Sequence, residues 1–106
     1  MLMTKPQELK KKYVVLSCTT LSEQKFPGDE YARLLELAAY DKEFREWQLE
    51  VDRLLRLKLS RESDKSQILY EAVSKQEGIS EALDVFQQER ELYEKLSSLF
   101  AKVGLL

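Results

Sequence analysis

The hydrophobic positions after residue 28 repeat in the way that is typical of a helix packed along one seam. Apolar residues recur there at alternating steps of three and four, and no glycine or proline occurs from Asp29 to Glu77. Asp29 is a favourable N-cap residue for a helix that starts at this point. The pattern predicts one long helix over residues 29–60. Its seam positions are Leu37, Tyr40, Phe44, Trp47, Val51 and Leu54.

A second, broader apolar pattern covers the last third of the chain. A helix with a wide apolar face usually touches more than one neighbour. We expect this helix over residues 67–103, with Gly78 either as a kink or as the point where one helix ends and Ser80 caps the next. Gly104 then closes it, and Leu105 folds back onto the last turn. The pattern consists of two stripes: Leu69, Ala72, Ile79, Leu83, Phe86, Tyr93 and Phe100, and Ala82, Val85, Leu92, Leu96, Leu99 and Val103.

Seven consecutive polar residues, Ser60 to Ser66, separate the two apolar patterns. A helix that ran on from Asp29 to Glu77 would be about 73 Å long, and this polar stretch would bury nothing. We therefore expect a bend over residues 61–66, with Ser63 or Ser66 capping the next helix. The two long helices would then form an antiparallel hairpin with coiled-coil-like packing.

The first 28 residues carry a weaker helical signal. Thr4 and Gln7 have the spacing of a capping box, and Leu9, Tyr13 and Leu16 follow at helical steps. This predicts a short helix over about residues 5–17 within the segment 1–28, which ends in a linker. The fold class is therefore all-α, with residues 1–106 forming a single helical domain.

The end of the first long helix has leucines on nearly all sides. On a helical wheel Leu54, Leu55, Leu57 and Leu59 fall at about 0°, 100°, 300° and 140°. One neighbouring helix cannot cover all four, so something else must pack there. A second copy of the chain is the simplest candidate, and we expect dimerisation to complete the bundle.

Trp47, the only tryptophan, lies in the middle of the predicted seam. A residue at such a position normally packs internally, so we expect a core aromatic that contacts the last helix. The alternative is a binding anchor. The candidate interaction surface therefore consists of Leu55, Leu57, Leu59 and Trp47.

The composition removes several kinds of chemistry. The chain has no histidine, which excludes Ser-His and Cys-His nucleophile pairs and histidine-containing metal sites. Its single cysteine, Cys18, excludes internal disulfides and is expected to be half-buried in a protein of a reducing compartment, the cytoplasm. The longest apolar runs have four residues, against the roughly 20 of a membrane-spanning helix, so no membrane association is expected.

Acidic pairs three residues apart could hold a metal ion. Glu43 and Glu46, followed by Glu81 and Asp84, resemble the E-x-x-E and E-x-x-D motifs of MazG-like nucleotide pyrophosphatases, which implies Mg²⁺-dependent hydrolysis. The composition alone would give about three acidic pairs of this spacing. Three are present, with Glu91 and Glu94 as the third. Lys42 also stands where that class has a doubled acid, so this reading ranks third.

A basic run points weakly to nucleic acid. No acidic residue occurs from Arg53 to Arg61, a stretch with four basic residues: Arg53, Arg56, Lys58 and Arg61. On an α-helix they fall at about 0°, 300°, 140° and 80°, so they form no continuous basic stripe. The net charge is −2 and the pI is 5.3, whereas nucleic-acid-binding domains are usually basic.

The sequence therefore favours a small, non-enzymatic protein–protein interaction module, such as an adaptor, assembly factor or chaperone-like protein. No catalytic residue, cofactor or metal ligand is predicted, and the expected partners are a second copy and another protein. A regulator that binds nucleic acid or a nucleic-acid enzyme ranks second.

Overall fold

The computed structural model describes residues 5–23, 28–59 and 63–106, and within these ranges the chain is helical with no β-strand. The prediction of an all-α fold is confirmed. Four parts of the sequence predictions lie outside the described residues: Thr4, residues 24–27 of the predicted linker, Ser60 at the end of the predicted long helix, and residues 61–62 of the predicted bend. The helices are α1 (Lys5–Glu23), α2 (Asp29–Tyr40), α3 (Lys42–Asp52), a π-helical segment (Arg53–Lys58) that continues α3, α4 (Ser63–Lys75), α5 (Ile79–Asp84) and α6 (Arg90–Lys102).

The prediction of one continuous helix over residues 29–60 is wrong. A helix over residues 29–60 would be about 48 Å long. The largest extent of the molecule is 37 Å, and its radius of gyration is 13.2 Å. The chain instead folds into shorter helices that enclose one core. None of the helices in the described ranges is long and apolar enough to cross a membrane.

The first long helix is interrupted at Asp41. The backbone there is extended, with φ −114° and ψ 108°, and the Asp41 carboxylate accepts a hydrogen bond from the Phe44 backbone N–H at 3.1 Å. Asp41 thus ends α2 and caps α3. The change of direction leaves Tyr40, which the seam pattern placed inside, 90% exposed. The buried face of α2 is instead Tyr31, Leu34 and Ala38.

Helix α1 is longer and more central than predicted. It continues to Glu23, and within it the hydroxyls of Thr19 and Thr20 donate to carbonyls one turn back, at 2.8 and 2.9 Å, so both hydroxyls are satisfied inside the helix. Its most extensive contact is with α4. Tyr13, Val14 and Cys18 are completely buried, so the expectation of a half-buried Cys18 is wrong.

The π-helical segment ends against α4. The Leu59 N–H donates to the carbonyl of Leu54, five residues back, instead of four as in an α-helix. Carbonyls at this end accept from α4 hydroxyls: Tyr70 donates to the Leu55 oxygen, and Ser66 donates to the Leu59 oxygen. The π-helical segment and α4 therefore run antiparallel where these two hydrogen bonds join them. Ser66 lies inside α4 and does not cap it.

The last predicted helix is divided into three. Of the two alternatives at Gly78, a break is correct: α4 ends at Lys75, and Gly78 (φ 67°) is itself the N-cap of α5. A further turn over residues 85–89 separates α5 from α6 and leaves Val85 44% exposed. The predicted stop at Gly104 is confirmed, since the Leu105 N–H reaches the Phe100 carbonyl at 2.8 Å.

Gln76 ends α4 in the left-handed conformation, with φ 55°. The Glu77 N–H donates to the Ala72 carbonyl at 3.0 Å, as in the motif that usually has glycine at the left-handed position. We therefore expect Gln76→Gly to stabilise the fold by about 0.5–1 kcal/mol, because it removes the Cβ crowding. Equilibrium urea unfolding measures the change. Lys75→Gly, one residue earlier in the helix, is the control and should destabilise the fold.

Tyr70 is expected to contribute to stability through its hydroxyl. Tyr70→Phe should destabilise the fold by about 1–3 kcal/mol, because the Leu55 carbonyl loses its buried donor. Tyr40→Phe, at a residue that is 90% exposed, is the matched control and should change the free energy of unfolding by under about 0.5 kcal/mol. Equal effects of the two variants in urea unfolding would contradict the assigned role.

Candidate binding cleft

A cleft of about 570 Å³ lies between α3 with its π-helical continuation on one side and α6 on the other. This volume is within the usual range for binding sites in proteins. The backbones of the two walls come close to each other at few positions. The cleft is lined by Trp47, Glu50, Val51, Arg53, Leu54 and Lys58 from the first wall and by Glu91, Glu94, Lys95, Ser98, Leu99 and Lys102 from α6.

The apolar part of the cleft comes from the predicted seam. Trp47, Val51 and Leu54 line one wall and Leu99 lines the other. Val51 and Leu54 are almost fully buried, with 2% and 8% of their surface exposed. Trp47 and Leu99 are half-buried, so they offer apolar surface that the chain itself does not cover.

Trp47 packs against α1. Its ring lies 5.7 Å from that of Tyr13 and 5.5 Å from that of Phe44, and the Lys10 ammonium lies 5.3 Å from the indole centroid. The indole is therefore packed partly against the core and also lines the cleft.

The two walls run antiparallel. At one end, the Gln7 amide of α1 donates to the Lys102 carbonyl at 3.3 Å, and Lys10, three residues further along α1, lies over Trp47. At the other end, Lys58 interacts with Lys95 and Glu91. Glu91 of α6 therefore lies at the same end of the cleft as Lys58, and Lys102 of α6 lies at the same end as Trp47.

The rim of the cleft is charged, with its cations concentrated at one end. Arg53, Lys58 and Lys95 meet there, and Lys95 pairs with Glu91 at 3.0 Å. The ammonium of Lys95, within hydrogen-bonding reach of Lys58, lowers the pKa of Lys58, and Arg53 adds to the effect. The same Lys95 lowers the pKa of Glu91. This end of the cleft holds more positive than negative charge.

The π-helical segment explains how two of these cations come to share one wall. Residues five apart on an α-helix point about 140° away from each other, so the sequence pattern spread Arg53 and Lys58 over different faces. In a segment whose N–H groups bond five residues back, such residues lie almost one above the other. Both side chains accordingly line the cleft.

A buried polar network holds the first wall in place from behind. The Tyr13 hydroxyl donates to Asp52 at 2.6 Å and lies 3.3 Å from the Tyr31 hydroxyl, which accepts from Arg56 at 3.2 Å. Gln48 donates to both Tyr13 and Asp52. Burial, followed by the hydrogen bond to Asp52, raises the pKa of Tyr13 far above its usual value. Tyr13 therefore keeps its proton, and the network positions helices instead of transferring protons.

Only part of the predicted interaction surface lies at the surface. Leu55 and Leu59 are fully buried within the chain, and α4 reaches the backbone of both through the hydroxyls of Tyr70 and Ser66. Leu54 is also buried, whereas Leu57 is 64% exposed. The cleft residues on α6, above all Ser98 and Leu99, were missed. The sequence signal for this wall was the second apolar stripe. It includes Leu99 and is wider than the face of α6 that is buried in the core.

The acidic pairs do not form a metal site in the described part of the chain. No group of three or more carboxylate or cysteine side chains there is close enough to hold an ion. Glu43 and Glu46 lie exposed on α3, and Glu81 and Asp84 lie exposed on α5. The MazG-like reading therefore gains no geometric support.

Comparisons of the chain with models of protein families, with curated proteins and with solved structures find no match. Function must therefore be inferred from the cleft itself.

The buried thiol and phenols predict a loss of stability at alkaline pH. Burial raises the pKa of Cys18 from 9.0 to about 12, and burial raises the pKa of Tyr70 from 10.0 to about 12. The folded state holds these protons where the unfolded state releases them, so this stabilisation is complete below about pH 9 and is lost between about pH 9 and 12. Urea unfolding at a series of pH values measures the loss. Cys18→Ala should make the decline less steep, by up to about 1.4 kcal/mol per pH unit, whereas Tyr40→Phe should not.

Proposed function

We propose that this chain is a non-enzymatic protein-interaction module whose cleft receives an amphipathic helix of another protein. The observation that carries the proposal is the pair of half-buried side chains, Trp47 and Leu99, which line opposite walls of the cleft. Apolar surface held open between two helices is the usual site for an apolar helix face. An adaptor, an assembly factor or a chaperone-like protein would use such a cleft.

The dimensions of the cleft suit a helix of about three turns. The first wall extends from Trp47 to Lys58 and the second from Glu91 to Lys102, which is eleven residue steps in each case. At 1.5 Å per residue this corresponds to about 16 Å. A partner helix of this length would present apolar residues at positions i, i+3 or i+4, and i+7 to Trp47, Leu54 and Leu99.

The charges favour a protein partner over nucleic acid. Glu50, Glu91 and Glu94 lie on the same rim as the cations and would repel a phosphate backbone that followed the cleft. The overall charge of −2 adds to this repulsion. A nucleic-acid enzyme remains a suitable partner, because it would bind as a protein. The single buried thiol suits a reducing compartment such as the cytoplasm.

The proposal can be tested with peptides because Trp47 reports directly on the cleft. A display library of helical peptides of about 14 residues, without tryptophan, would be selected on the chain, and binding would be followed by Trp47 fluorescence. Ser98 lines the cleft and is exposed. Ser98→Phe should weaken the selected peptides at least about tenfold by filling the cleft, whereas Ser98→Ala should bind them like the wild type.

Two outcomes would contradict this function. One is a selection in which no peptide is sensitive to Ser98→Phe while both variants remain as helical as the wild type. The other is a species in sedimentation equilibrium near twice the 12.5 kDa monomer that Ser98→Phe dissociates, since a second copy would then occupy the cleft. Self-association otherwise stays a prediction, and of the four leucines that suggested it only Leu57 is exposed.

A further inference from the structure

We infer that the partner helix carries an acidic side chain at one end, and that its carboxylate binds between Arg53, Lys58 and Lys95. This inference rests on the proposed function, because it specifies the chemistry of the helix that the cleft receives. The two parts of the cleft then have different roles. The apolar contacts bind the partner helix, and the cationic end determines the direction in which that helix lies in the cleft.

One end of the cleft carries a surplus of positive charge. Three cations from opposite walls line this end, and of the three carboxylates on the rim Glu91 pairs with Lys95 at 3.0 Å. Glu94, also on the rim, is drawn to Arg90 at 3.9 Å. Lys58 therefore faces the ammonium of Lys95 on the opposite wall and the guanidinium of Arg53 on its own wall. A bound anion would relieve the repulsion between these like charges.

The cationic groups at this end favour a carboxylate as the bound anion. A guanidinium forms paired hydrogen bonds with a carboxylate, and two lysines beside it add charge and further donors. The same groups could bind one phosphate, but a nucleic acid brings many, and the cleft continues from this end past Glu50 towards Trp47. An acidic residue followed by an apolar helix face matches both the cationic end and the apolar part of the cleft.

The π-helical backbone places Arg53 and Lys58 on the same wall of the cleft. A regular α-helix would turn Lys58 about 140° away from Arg53 and out of the cleft. The π-helical segment brings both to one wall, and the hydroxyls of Tyr70 and Ser66 bind carbonyls at its C-terminal end. π-Helical segments occur frequently at functional sites, which agrees with a binding role for the two cations they align here.

The test repeats the peptide selection on three forms of the chain. On the wild type, the selected peptides should be enriched in Asp and Glu at one end of the apolar face. On the double variant Lys58→Glu/Lys95→Glu, this enrichment should disappear or change to Lys and Arg. The control Lys42→Glu makes the same kind of charge reversal at an exposed residue of α3 that does not line the cleft, and it should keep the acidic enrichment.

Affinity measurements sharpen the comparison. An acidic peptide selected on the wild type should bind the double variant about tenfold or more weakly, and its wild-type affinity should fall as salt is raised. Circular dichroism checks that each variant stays helical. Single-stranded oligonucleotides of matched length are the competing ligand.

The possible failures can be told apart. Ser98-dependent peptides without any acidic preference would overturn this inference and leave the proposed function standing. A complete absence of Ser98-dependent peptides would overturn both. Oligonucleotide binding that is lost in the double variant, at an affinity equal to or better than that of the acidic peptides, would overturn the acidic-helix inference in favour of nucleic acid.

Discussion

The packing of Tyr13 against Phe44 and Trp47 determines how the remaining helices are arranged. These rings lie 6.1 and 5.7 Å from that of Tyr13, so α1 occupies the apolar side of α3. The Tyr13 hydroxyl also reaches Asp52 at the end of α3 and Tyr31 of α2. Because α1 takes this position, α6 cannot pack along α3 as a hairpin partner would. The cleft is the space that remains between them.

The same arrangement explains why the cleft stays open in the folded chain. The face of α6 in the core consists of Leu96, Phe100 and Val103, each 0–1% exposed. Two hydrogen bonds hold its C-terminal end: Gln7 donates to the Lys102 carbonyl, and the Leu105 N–H donates to the Phe100 carbonyl. Its neighbouring face, with Leu99, looks into the cleft. Closing the cleft would require α6 to leave a well-packed core, so apolar surface at Leu99 and Trp47 is better covered by another molecule.

The apolar pattern of the sequence predicted helices reliably but not their ends or partners. Phe44, Val51 and Leu54 are buried as the seam required, and Gly104 stops α6 as expected. The break at Asp41 was hidden because the heptad spacing continues through it, and the end of α4 was hidden because Gln76 adopts a conformation that is usually glycine's. The central role of α1 was also missed, since Val14, Val15, Thr19 and Thr20 are as suitable for a strand.

The π-helical segment shows why the site was harder to predict than the fold. Every angle calculated from the sequence assumes 3.6 residues per turn, and one turn of a different width shifts all later side chains. Here that shift buries Leu55 and Leu59 and leaves Leu57 64% exposed, and it places Arg53 and Lys58 on one wall. Tyr70 and Ser66, which bind carbonyls at the end of this segment, come from α4, beyond the bend. Arg53 and Lys58 therefore share a wall in a segment whose carbonyls bind hydroxyl groups of α4, and no local pattern around residue 55 contains those groups.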